Sequence, residues 1–93
     1  MGKFKVIISE RAQEDLLALE QSGDRGSIKK AAKIVSELYE HPETGTGKPE
    51  RLKYKFSGFW SRQINKKDRL IYLIEDEVVT VTVVSAKGHY GDK

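Results

Sequence analysis

The sequence contains no cysteine, two prolines, two histidines and one tryptophan among its 93 residues. Without cysteine there is no disulfide scaffold, no thiol chemistry and no Cys-based zinc site. The two histidines, His41 and His89, stand far apart, so neither belongs to a His-rich metal tract; no metal and no cofactor are expected. No apolar run approaches the roughly 20 residues that span a bilayer. The start, Met1-Gly2-Lys3-Phe4-Lys5, lacks the apolar stretch of a secretory signal. Mean hydropathy is −0.57. The reading is a cytoplasmic protein of one domain, residues 1–93, with no membrane partner.

What is present is charge, and it is unevenly spread. The net charge is +3, with 17 basic and 14 acidic residues. Between Lys48 and Tyr72 lie eight basic residues (Lys48, Arg51, Lys53, Lys55, Arg62, Lys66, Lys67 and Arg69) and two acids, Glu50 and Asp68, a net of +6. Tyr54, Phe56, Phe59, Trp60 and Tyr72 are interleaved with them. Cations for phosphates and aromatics for bases are the footprint of a nucleic-acid face. The plainer alternative is a solvated strand surface.

Phe4 to Ile8, rich in β-branched residues, predicts a strand. Ser9 and Glu10 suit the N-cap and first turn of a helix over Glu10–Gln21, ended at Gly23. Ile28, Ala31, Ala32, Val35, Leu38 and Tyr39 recur at helical spacing and predict a second helix, capped by Ser27 or Asp24 and ended before Pro42. Pro42 to Pro49 is a loop. Arg51–Phe56 alternates apolar and basic residues, so a half-buried strand with a basic outer face is expected, followed by a tight turn at Ser57-Gly58. Further strands are expected at Phe59–Ile64, Arg69–Ile74 and Val78–Ser85. The order β-α-α-β-β-β-β predicts an α+β fold. Two helices should lie on one face of an antiparallel sheet, packed through Ile28, Ala32, Val35, Leu38 and Leu16, with basic and polar side chains on the other face.

Three segments carry the chemistry: GKPERLK (Gly47–Lys53), SGFWSRQINKKDRLIY (Ser57–Tyr72) and SAKGHY (Ser85–Tyr90). Through them the chain resembles the YoeB/Txe family of bacterial toxins, within the RelE/ParE superfamily. The resemblance implies the toxin of a type II toxin-antitoxin system, a metal-independent endoribonuclease that cuts mRNA in the ribosomal A site. A ribose 2′-OH attacks the adjacent phosphate, leaving a 2′,3′-cyclic phosphate and a 5′-OH. That reaction needs a base, an acid and cations for the phosphorane. The resemblance assigns Glu50 as general base, Arg69 as phosphate-stabilising cation, His89 as general acid and Tyr90 as its neighbour that sets substrate or histidine. It also implies a YefM/Axe-like antitoxin and a homodimer.

Lys48, Arg51, Lys53, Lys55 and Arg62 are candidate phosphate contacts, and Trp60 a base-stacking platform or a core residue. The chain departs from the family at Gln63, where many relatives carry arginine, and at Asp68, where many carry histidine; an acid beside Arg69 could pair with it. Gly91-Asp92-Lys93 extends past the usual terminal tyrosine. Two other functions share the features: a ParE-like gyrase-inhibiting toxin, and a non-catalytic RNA-binding domain. Glu50, Arg69 and His89 together favour the nuclease.

Overall fold

A computed structural model describes residues 3–85. The chain runs β1 (Lys5–Ile8), α1 (Glu10–Gln21), α2 (Arg25–Leu38), β2 (Glu50–Arg51), a 3₁₀ turn (Tyr54–Phe56), β3 (Phe59–Gln63), β4 (Arg69–Glu75) and β5 (Val78–Ser85). The strands form one sheet in the order β1-β5-β4-β3-β2. β2 to β5 are an antiparallel meander. β1 joins at the far edge and runs parallel to β5, so the sheet is mixed rather than wholly antiparallel. The outer side of β5 is the meander's free edge on the side away from β2. β1 lies there with Lys5 N–H on Glu77 O and Ser9 N–H on Val81 O, and Ser9 also starts α1.

Both helices start as their sequences dictate. The Ser9 hydroxyl accepts from Ala12 N–H at 3.1 Å, and Asp24 accepts from Ser27 N–H at 3.2 Å. Each cap satisfies one otherwise orphaned donor of a first turn. Gly23, at φ +80°, makes the reversal between the helices.

The core lies between the helices and one face of the sheet: Ala12, Ala31, Ile34 and Leu38 meet Leu70, Tyr72, Val79, Val81 and Val84. The inward face of α2 is Ser27, Ala31, Ile34 and Leu38. Of the residues expected to pack, Leu38 is buried, Ile28, Val35 and Leu16 are half-buried, and Ala32 is exposed. At about 100° per residue the observed stripe is rotated by roughly 70° from the expected one. The reason is that Ser27, a polar residue, belongs to the buried arc: its hydroxyl donates to Asp24 and accepts from Asn65 Nδ2 at 2.6 Å.

The expected strand Arg51–Phe56 is only two residues long. One further rung forms, Leu52 N–H to Phe59 O at 2.9 Å, and the chain then turns, with Tyr54 at φ +60°. The alternation there did not mark a strand, for Tyr54, assigned to the inner face, is 78% exposed.

Gly47 seats the loop before β2. It sits at φ +87°, and its carbonyl accepts from Gln63 N–H at 2.7 Å. A Cβ there would stand 2.8 Å from Gln63 O and 3.2 Å from Arg62 Cβ. Gly23 has a similar φ and nothing within 4 Å. Gly23→Ala should therefore lose only the left-handed backbone cost, about 1–2 kcal/mol. Gly47→Ala should lose clearly more, by urea unfolding, because backbone must also move; equal losses would contradict the packing.

Candidate active site

Residues paired across a sheet share a face. Glu50, Ser61, Ile71 and Val83 form one row, and Gln63 and Arg69 belong to the next, both on the face away from the helices. Arg69 reaches along that face and donates from Nη1 to Ser61 Oγ at 3.3 Å. Ser61, only 1% exposed, thus stands opposite Glu50 on one side and holds Arg69 on the other. Strand register thus brings a carboxylate and a guanidinium to one end of the sheet, and the buried Ser61 hydroxyl holds the guanidinium. Glu50 is exposed to solvent and Arg69 half-buried. β5 ends at Ser85, directly beside Arg69. His89 and Tyr90 lie outside the described residues, as does the side chain of Lys55.

Asp68 does not pair with Arg69. Its carboxylate accepts from Asn65 Nδ2 at 2.8 Å inside the β3–β4 turn, where Asn65 Oδ1 also accepts from the N–H groups of Lys67 and Asp68. Strand alternation sends Arg69 to the other side.

Two sequence-based candidates are corrected. Arg62 cannot contact phosphate, because its side chain is fully buried. Its five N–H donors go to Tyr72 Oη (3.1 Å), Glu37 Oε1 (2.7 Å) and the carbonyls of Thr46 (3.3 Å), His41 (2.7 Å) and Thr44 (2.7 Å). It is the internal clamp of the loop that leads to Glu50. Trp60 packs against the core on the helix side, in register with Tyr72, rather than presenting a ring to RNA. Arg51 falls in that same row, at its exposed outer edge.

The face away from the helices is also not uniformly basic. Its middle holds buried Ile71 and Val83, with half-buried Leu73 and Phe59 beside them. The free cations are on loops and turns instead: Lys48, Lys53, Lys66 and Lys67 are exposed, and Lys67 lies on the helix side, beside Asp24. A mid-sheet cation would lose hydration without a partner, whereas loop cations keep theirs.

The clamp is electrostatically settled. Burial pushes the Glu37 carboxyl up, but hydrogen bonds from the Thr46 hydroxyl and N–H, with Arg62, outweigh it and hold the group below its ordinary 4.5. Burial raises the Tyr72 phenol above 10.0, and Arg62 offsets only part of that. Tyr72 therefore stays neutral and donates to Pro42 O at 2.6 Å. No group of three or more His, Asp or Glu side chains suited to a metal occurs among the described residues. Nor is any helix there long and apolar enough to cross a membrane.

Sequence reasoning missed Ser61 and the clamp partner Glu37. Ser61 carried no signal in the sequence, because its register with Glu50 and its bond to Arg69 exist only in the folded sheet. Glu37 carried no signal beyond being an acid near the end of a helix.

A small α+β fold with helices on one side, and an acid and an arginine at one end of the other, is a recognisable class. Residues 8–90 match the family described as the YoeB-like toxin of bacterial type II toxin-antitoxin system. The chain belongs to that family and is the toxin of such a system. It is 35% identical over 87 residues to Toxin YoeB of Escherichia coli strain K12, covering 94% of this chain and 100% of that one. It is 35% identical to Toxin YoeB of Synechocystis, covering 94% and 98%. Among solved structures, the YoeB dimer from Staphylococcus aureus superposes with a TM-score of 0.75 at 28% identity, over 89% of this chain and 95% of that one. The heterotetrameric YoeB-YefM complex of the same organism gives 0.74 at 29%, over 88% and 94%.

Proposed function

We propose that the chain is a metal-independent endoribonuclease that cuts mRNA in the ribosomal A site. The observation that carries this is the placement of Glu50 and Arg69 on either side of Ser61, on the sheet face away from the helices. Glu50 takes the proton of a ribose 2′-OH as its oxygen bonds to phosphorus. Arg69 neutralises charge on the equatorial phosphorane oxygens. The bond from phosphorus to the 5′ oxygen then breaks, and protonated His89 supplies the proton to that leaving oxygen. Products are a 2′,3′-cyclic phosphate and a 5′-OH, and both groups return to their starting states by exchange with water.

His89 stands four positions after Ser85, which pairs with Arg69. Four residues span at most about 13 Å, so an acid on the opposite side of the phosphate from Glu50 is within the chain's reach. Tyr90 orients that histidine or the substrate. Lys48, Lys53 and Lys55 bind phosphates.

The reading sets the chain in the cytoplasm with its ribosome. An acidic YefM/Axe-like antitoxin segment would cover the sheet face away from the helices and pair with the exposed loop cations. Self-association is a further expectation, by similarity to the S. aureus YoeB dimer.

The test is cleavage of mRNA on programmed ribosomes, with the ends of the products identified. A 2′,3′-cyclic phosphate and a 5′-OH are expected. A 3′-OH and a 5′-phosphate, the ends left by metal-activated water, would overturn the mechanism. Ribosome binding without cleavage would favour the non-catalytic RNA-binding alternative.

A further inference from the structure

Three non-glycine residues among those described have positive φ: Lys48 at 52°, Tyr54 at 60° and Asp76 at 55°. Asp76 stands in the turn between β4 and β5, where aspartate tolerates this conformation. The other two flank Glu50 on the chain, two positions before and four after. A bulky side chain in left-handed backbone is an outlier, and glycine or asparagine would adopt it without strain. Such residues cluster where function holds them.

Tyr54 is the more telling of the two. At 78% exposed it packs into no core and gains nothing by burial. The turn that carries it is nonetheless built. Phe56 N–H bonds to Lys53 O at 3.1 Å and Ser57 N–H to Tyr54 O at 2.9 Å. Phe56 turns inward and meets Phe59 edge-on, with centroids 6.3 Å apart. The inner aromatic anchors the turn and the outer one is displayed. Exposed Lys53 precedes it in the chain, and exposed Arg51 lies two positions further back. It stands four positions from Glu50, so the two Cα atoms lie within about 14 Å.

Resting on the nuclease reading, we propose that Tyr54 is a stacking platform for an unpaired RNA base near the cleaved bond, with Lys48 on an adjoining phosphate. Trp60, the other candidate for stacking, is turned to the core. An exposed aromatic amid cations is the usual recognition unit for single-stranded RNA, since every base has a π face. The base belongs either to the mRNA codon or to the ribosomal RNA beside it, and stacking is common to both.

The decisive variant is Tyr54→Gly. It relieves the backbone strain, so the urea midpoint should hold or rise. Cleavage on programmed ribosomes should nevertheless fall by about 5- to 100-fold in kcat/KM, the range for one lost base stack. Tyr54→Phe and Tyr54→Trp should restore it, and Tyr54→Leu should not. An mRNA abasic at the stacked position should slow wild type by a similar factor and leave Tyr54→Gly no slower. If Tyr54→Gly stays impaired on mRNAs abasic at each codon position in turn, the base is ribosomal. Tyr54→Gly cleaving within about twofold of wild type, or full rescue by Tyr54→Leu, would overturn the proposal, since either is far from the loss of a stack. Should wild type itself fail to cleave, the nuclease reading fails by itself. Stacking is then read from affinity for a single-stranded oligoribonucleotide, which Tyr54→Gly should weaken by the same factor and otherwise refutes it.

Discussion

Glu50→Gln and His89→Ala should each slow single-turnover cleavage on programmed ribosomes by roughly 10²–10⁴-fold, the loss that follows removal of a positioned base or acid. In-line displacement at phosphorus puts the attacking and leaving oxygens on opposite sides, so one group cannot easily serve both. The two losses should therefore be separate. Ribosome binding should survive both, because it draws on the exposed loop lysines rather than on these two groups. Folding should survive Glu50→Gln as well, since Glu50 is exposed. If both variants cleaved within about threefold of wild type, the acid–base assignment would be wrong, the expected losses being far larger.

The elements that were legible in the sequence are those whose signal is local. Helix α1 has the expected bounds because Ser9 caps it and Gly23 allows the reversal after it. β5 does so because eight residues from Val78 to Ser85 are almost all β-branched. The meander's strand directions were legible too, and they bring Glu50, Arg69 and the end of β5 towards one end of the sheet. What was not legible depends on partners distant in the chain. The rotation of α2 is set partly by Asn65, 38 positions from Ser27. The fate of Arg62 is set by Glu37 and three carbonyls of the intervening loop, none of which a basic residue in a basic block announces. The false strand at Arg51–Phe56 has a similar cause: alternation was present, but the phenol of Tyr54 faces water and the backbone turns under it.

Removing the Arg62 guanidinium should be the most destabilising single change in the molecule. Arg62→Met keeps much of the volume but deletes all five donors. It would leave Glu37, whose side chain is 15% exposed, without its charged partner, and the carbonyls of His41, Thr44 and Thr46 without this donor. Breaking a buried ion pair from one side typically costs about 3–5 kcal/mol. Small domains have only about 5–15 kcal/mol in total, so the urea midpoint should drop by about a fifth or more. Glu37→Gln should cost less, because an amide oxygen still accepts from Arg62, although Thr46 then loses part of its anchorage. Acid provides a second readout. The Glu37 carboxyl titrates below its ordinary 4.5 in the folded protein. A depressed carboxylate contributes stability that is fully present above the unfolded value and is lost as pH falls through the folded one. Wild type should therefore weaken as pH drops below about 4.5, and Glu37→Gln should show a shallower decline over that window. Arg62→Met should titrate Glu37 higher than wild type, because its cation is gone and only the Thr46 hydrogen bonds are left to oppose burial. An Arg62→Met protein within about 1 kcal/mol of wild type, well short of a broken buried pair, would mean that solvent or another group replaces the guanidinium, and the loop before Glu50 would have to be held by something else.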